Sequence, residues 1–198
     1  MNKKLLTDIF LGLTLFVILV GSYLYSKNQK QFSPLDHEYV TTKGKTTFKS
    51  LISKEINLVY FGFLTCPEAC PTTLNKIKSS LSDFTPEERE KFQFIFVGLD
   101  PERDSLEKIQ TYLNFFDQSF IGVYSPLEAL DPLTKQFGIV FQKIAQGNSA
   151  MSYTIDHSTD ILVLDQSGKI IFTLHHDSPK IVLIKELKKL IELSKDKK

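Results

Sequence analysis

Apolar and polar positions alternate along the chain in blocks whose period changes. INLVYFGF (56–63) and FQFIFVGL (92–99) are continuous apolar runs of strand length, rich in β-branched and aromatic residues; they predict strands buried on both faces. Between them, TTLNKIKSSLSDF carries Leu74, Ile77 and Leu81 at helical spacing. Pro71 suits a first helical position, so that helix is predicted to start near residue 71. DSLEKIQTYLNFF (104–116) predicts a helix opened by a capping box of Asp104 and Glu107. IGVYS reads as a short strand, and Ser125-Pro126-Leu127-Glu128 as a second capping box opening a helix to about Phe137. GIVFQKI (138–144) is strand-like. DILVLDQSGKIIFTL (160–174) predicts two strands joined at Asp165–Gly168. SPKIVLIKELKKLIEL (178–193) predicts an amphipathic helix with Ile181, Ile184, Leu187 and Ile191 on one side, and KDKK reads as a solvated tail. Upstream, HEYVTTKGKTTFKS (37–50) alternates and turns at Lys43-Gly44, which predicts a small N-terminal hairpin.

The N-terminus follows a different rule. From Ile9 to Tyr25 no residue is charged, a length at the short end for a membrane span. Tyr23 and Tyr25 fall where an interfacial aromatic belt would sit. No small-residue cleavage site follows, so residues 1–25 are expected to be an uncleaved single-pass anchor rather than a signal peptide. Residues 26–36 are polar, contain Pro34 and read as a linker; residues 37–194 form one domain. Lysines at 3 and 4 are matched by those at 27 and 30, so charge alone leaves orientation even. A short charged head before a large domain places that domain on the non-cytosolic side of an inner membrane, periplasmic or equivalent, where disulfides are permitted. Strand–helix alternation closed by a hairpin and a helix predicts an α/β sandwich with a mixed central sheet, in a thioredoxin-like order.

The 198 residues carry a formal net charge of +1 with acids and bases mixed, and no basic patch of the kind nucleic acid needs. The chemistry concentrates in FGFLTCPEACPTT (61–73), which holds the chain's 2 cysteines, Cys66 and Cys70. They can form a disulfide, pass electrons or hold a metal. The loop leads into a helix N-terminus, whose positive end favours thiolates. Three residues separate the sulfurs instead of the two usual in a redox pair; the wider loop has room for an ion, and soft thiolates select Cu(I) foremost. Zinc is the other metal such a set can take.

For a third ligand there are 4 histidines. His37 reads as an exposed hairpin residue. His175 and His176 should point to opposite faces of a strand end. His157, in YTIDHSTD before a buried strand, is either a ligand or a satisfied loop histidine. Thioredoxin-type oxidoreductases place a cis-proline in this segment, yet no proline occurs here between Pro132 and Pro179. That favours a metal site over a general oxidoreductase. Asp100 either orients a ligand at the strand edge or opens the turn before Pro101, and Arg103 and Asp104 read as a cap and turn pair. AQGNSAMS (145–152) is expected to be a mobile polar loop, with Met151 incidental as a ligand and Glu68 facing solvent.

FGFLTCPEACPTTL, VGLDPERDSLEKIQTYL and YTIDHSTDILVLD together resemble the Sco/SenC family, whose usual elements are a CPxxCP loop, a V-x-x-DP-x-RD segment and a D-H-S segment before a strand. The resemblance runs over roughly residues 32–193. It implies a membrane-tethered thioredoxin-like protein that binds a copper ion through Cys66, Cys70 and His157, with Asp100 close by. It also implies delivery of that copper to the dinuclear centre of cytochrome c oxidase subunit II, directly or through assembly factors. The alternative it leaves open is thiol–disulfide reduction of partner cysteines. A peroxidase on the same fold would need only one cysteine.

Overall fold

The structure is a computed structural model that describes residues 3–28, 33–147 and 152–195. It divides into two units, residues 1–33 and 34–198.

The first unit holds α1 (Lys3–Asn28), one continuous helix through the expected anchor. Among the described residues no helix is long and apolar enough to cross a membrane.

The second unit is built on a mixed sheet of seven strands: β1 (Glu38–Thr41), β2 (Gly44–Thr47), β3 (Ile56–Gly62), β4 (Phe92–Gly98), β5 (Ile121–Tyr124), β8 (Ile161–Leu164) and β9 (Ile170–Leu174). Their order is β2-β1-β5-β4-β3-β8-β9. β3, β4 and β5 run parallel, and the hairpins β1–β2 and β8–β9 flank them antiparallel. The N-terminal hairpin turns just before Gly44, whose φ of +108° suits glycine.

The continuous apolar runs explain the sandwich. In β3, Ile56, Leu58 and Tyr60 face one layer, whereas Val59 and Phe61 face the other. The first layer is filled by α3 (Ala69–Leu81), α5 (Leu106–Phe116) and α7 (Lys180–Lys195) through Leu74, Ile77, Ile109, Leu113, Leu183 and Leu187. The second takes α2 (Phe48–Leu51) and α6 (Leu127–Gln136), with Phe48, Leu130 and Leu133 buried. A short α4 (Pro86–Arg89) precedes β4. Outside the main sheet, β6 (Phe141–Ala145) and β7 (Tyr153–His157) form a separate two-stranded hairpin.

Local expectations differ from the structure at four places. α3 begins at Ala69 and absorbs Pro71 in its first turn, where a missing N–H costs nothing. Ser105, not Asp104, caps α5 by accepting from the Lys108 N–H. Ser125 is buried and donates to the Pro126 carbonyl (3.1 Å), and α6 has no side-chain cap. The capping box that forms is Thr85 with Glu88, at α4. In α7, Ile181 is 67% exposed and Leu183 takes the core position, because the buried stripe is Leu183, Ile184, Leu187 and Ile191.

That stripe can be tested. Leu183→Ala should cost ~2–5 kcal/mol in urea unfolding, while Ile181→Ala should stay within ~0.5 kcal/mol.

Candidate metal centre

β3 is buried along its whole length, so the chain leaves it only at its C-terminal end, where open α/β sheets put their sites. The loop there is held from two sides. The Cys66 N–H donates to the Phe63 carbonyl at 3.3 Å. The Leu64 N–H donates to Asp104 Oδ2 at 2.9 Å. Asp104 is thus a buried brace for the cysteine loop rather than a helix cap, and burial raises its carboxyl from the ordinary 3.8 to about 6.

Cys66 is half-buried and packs against both layers of the core, and Cys70 is fully buried in the first turn of α3. The Cys70 N–H, one of the unpaired donors of that turn, points at Cys66 Sγ (3.4 Å). The Tyr60 hydroxyl reaches Cys70 Sγ at 3.8 Å. Gly62 makes room for this sulfur: a Cβ there would lie 2.8 Å from Cys70 Sγ. The two thiols titrate apart. Hydrogen bonding from the Cys70 thiol, then from the backbone N–H groups of Cys70 and Glu68, holds Cys66 well below the ordinary thiol range. The same contact with Cys66, together with burial, pushes Cys70 up.

His157 ends β7, opposite Phe141. Its Nδ1 lies 2.7 Å from the Ser158 carbonyl oxygen, an acceptor only, so Nδ1 carries the proton and Nε2 offers its lone pair. Phe63 and Tyr60 meet the ring edge-on at 5.7 and 6.3 Å. One donor atom each from Cys66, Cys70 and His157 lies within 4.8 Å of the others. Two thiol sulfurs and an imidazole nitrogen on a rim, part buried, suit a soft or borderline ion. Cys66 also borders a cavity of ≈ 660 Å³, lined by Pro67, Thr72, Lys76, His176 and Pro179 among others.

The remaining expected residues fall differently. Asp100 has a fully buried side chain, and its carbonyl does close the turn, accepting from the Arg103 and Asp104 N–H groups at 3.2 and 2.8 Å. Its carboxylate, however, bonds Arg103 Nε and the Tyr153 hydroxyl rather than any of the three donor residues. His175 and His176 do not diverge: they lie in a turn beyond β9, where strand alternation no longer applies, and their rings are 4.7 Å apart. His176 Nδ1 pairs with the Thr159 hydroxyl at 2.7 Å. His37 is half-buried, edge-on to Tyr39 at 5.1 Å. Glu68 faces solvent as expected. Met151, and residues 148–151 of the expected mobile loop, lie outside the described residues. Sequence reasoning missed Tyr153; no spacing signal connects it to Asp100, 53 positions away.

The SCO1/SenC family model matches residues 26–192. A Stutzerimonas stutzeri relative that carries a copper-binding name is 30% identical over 114 residues, 58% of this chain and 55% of its own; the chain thus spans about half of that relative. Among solved structures, apo Sco1 of Thermus thermophilus superposes with a TM-score of 0.70 at 29% identity, covering 80% of this chain and 91% of that one. Copper-bound ScoI of Arabidopsis thaliana superposes at 0.72, covering 79% and 96%; at 20% identity it speaks for the fold alone.

Two outcomes are expected. In the reduced, metal-free protein at about pH 6, iodoacetamide followed by peptide mapping should label Cys66 well before Cys70. The folded Asp104 carboxyl keeps its proton up to about pH 6, whereas the unfolded one releases it near 3.8, so raising pH through that window costs stability. The urea midpoint should therefore fall with rising pH across it, and Asp104→Asn should remove that part of the slope.

Proposed function

Because the chain belongs to the SCO1/SenC family, we propose that it carries copper on Cys66, Cys70 and His157 and delivers it to the dinuclear copper centre of cytochrome c oxidase during assembly of that enzyme. The observation that carries this reading is the convergence of two sulfurs and one imidazole nitrogen within 4.8 Å. Three such donors complete a trigonal Cu(I) site, or take one added ligand around Cu(II). The copper-binding name of the Stutzerimonas relative supports the choice of cargo. The recipient is subunit II or an assembly factor bound to it, as the family's role implies.

We also propose that α1 tethers the domain to the inner membrane as a single pass, with the domain on the periplasmic or equivalent side. What supports this is the uncharged run from Ile9 to Tyr25 behind a lysine-bearing head.

A second reading is favoured by the asymmetry of the thiols. Cys66, half-buried and held as thiolate, can attack a partner disulfide to give a mixed disulfide. Cys70 then displaces the partner, leaving Cys66 and Cys70 bridged and the partner reduced by two electrons. This reaction needs both cysteines and no imidazole.

The two readings separate in one set of variants. Cys66→Ala, Cys70→Ala and His157→Ala should each weaken copper binding by more than ~100-fold, beyond what loss of an outlying partner costs, in competition titrations with a chelator. If His157→Ala binds copper like the parent yet both cysteines are needed to reduce a partner disulfide, the carrier reading fails and the reductase reading stands.

A further inference from the structure

The hairpin that carries His157 is not part of the seven-stranded sheet, since β6 and β7 pair only with each other. A free two-stranded hairpin is marginal in water, so something else fixes the imbalance between a rigid cysteine loop and a ligand on an outlying strand. Along β7, Tyr153, Ile155 and His157 share one face. Ile155 is 4% exposed and belongs to the second core layer. That face is therefore turned toward the body of the domain, with Tyr153 at one end and His157 at the other, ~13 Å apart at ~3.3 Å per residue.

Tyr153 is gripped by a single turn, the one that follows β4. Its hydroxyl donates to Asp100 Oδ1 at 2.7 Å. Its carbonyl accepts from Arg103 Nη1 at 2.9 Å. Its ring lies 3.8 Å from the Arg103 guanidinium carbon. Arg103 Nε bonds the other oxygen of Asp100, so one buried carboxylate ties arginine and tyrosine together. The neighbouring strand is held by the same turn: Lys143 of β6 pairs with Glu102 at 2.5 Å and stands 4.7 Å from the Tyr153 ring. The turn itself is closed by the Asp100 carbonyl. Each oxygen of Asp100 thus has a donor, and both strands of the hairpin are fastened to one point beside the cysteine loop, which Asp104 of the same segment also braces.

We propose that Arg103, Asp100 and Tyr153 form a positioning grip for His157: by fixing the start of β7, they set the reach of the imbalanced third donor, the imidazole, toward the two sulfurs. The grip acts through the strand and not on the metal, and the inference rests on the copper site proposed above. Loosening it withdraws the nitrogen and leaves the thiol pair, which is held by β3, α3 and Asp104, where it was. The chemistry dictates the sensitive variants. Phenylalanine at 153 keeps the ring over the guanidinium but leaves Asp100 Oδ1 without its donor. Lysine at 103 keeps the charge but lacks the planar fork that serves carboxylate and carbonyl together.

The test uses the full chain and its Tyr153→Phe, Arg103→Lys and His157→Ala variants, loaded with Cu(II). Nitrogen couplings in electron paramagnetic resonance report the imidazole, and thiolate-to-copper absorption bands report the sulfurs. Cu(I) release to a chelator is timed, and thermal unfolding of the copper-free proteins checks the fold. Tyr153→Phe and Arg103→Lys are expected to weaken the nitrogen couplings, keep the thiolate bands and release copper ~10-fold faster. Should Arg103→Lys not fold, Tyr153→Phe, which preserves the ring, decides. Parent-like couplings and release in both variants, with His157→Ala altered in both, overturn the grip and leave the copper site standing. Loss of the thiolate bands together with the couplings also overturns it, since the effect would then be general collapse. If His157→Ala itself leaves the couplings unchanged, the copper site falls and the grip with it.

Discussion

β3 has backbone partners on both edges, β4 on one side and β8 on the other, and side chains buried on both faces. The backbone groups inside this strand pair along the two ladders. Its C-terminal end is therefore the first place where the chain can turn, and the cysteine loop sits there by necessity. Both core layers meet at that point, since Cys66 packs against each. Gly62, the last residue of the strand, supplies the missing side chain whose space the Cys70 sulfur occupies. The thiol pair thus continues directly from the fully buried central strand.

His157 stands in a different mechanical regime. It reaches the same rim from a hairpin outside the sheet, fixed by buried Ile155, by Phe141 and Tyr153 packed against the second core layer, and by a charged grip. Burying the Asp100 carboxylate is costly unless its lone pairs are met. Here a guanidinium and a phenol meet them, and the same two groups come from the turn and the hairpin that must be joined. The cost of burial is offset by an interaction that also specifies geometry. A site with two fixed donors and one mounted on a separate element suits a cargo that has to be taken on and given up again.

The sequence made some of this legible and hid the rest for physical reasons. The runs at 56–63 and 92–99 are buried strands because a strand covered on both faces has no polar side to show. The cysteines, their helix N-terminus and His157 were readable from local spacing and family resemblance. Capping motifs were misleading at Asp104 and Ser125, because a motif of spacing does not encode burial, and both residues are inside. β6 carries little apolar periodicity, with most of its residues exposed, so its pairing with β7 could not be read from pattern. Tyr153 was invisible for the same reason as any tertiary contact: its partners at 100 and 103 are about fifty positions away, and nothing near it in sequence needs them.

Carrier and reductase ask the same thing of the thiols. Both need a thiolate at Cys66, and the helix N–H and the Cys70 thiol provide for it. What distinguishes them is the third neighbour. In a dithiol reductase the group opposite the sulfurs must leave a lane for a partner disulfide and has no call to donate electrons. Here that place is taken by an imidazole whose proton is committed to the Ser158 carbonyl, so the nitrogen facing the sulfurs is a lone-pair donor. Without a metal the Cys70 proton is shared with Cys66; a cation that displaces that proton brings two thiolates and the lone pair onto one charge, an arrangement that suits a soft ion. The electrostatics of the rim thus argue for a bound soft cation as the working state, with disulfide chemistry as what the same pair does without one.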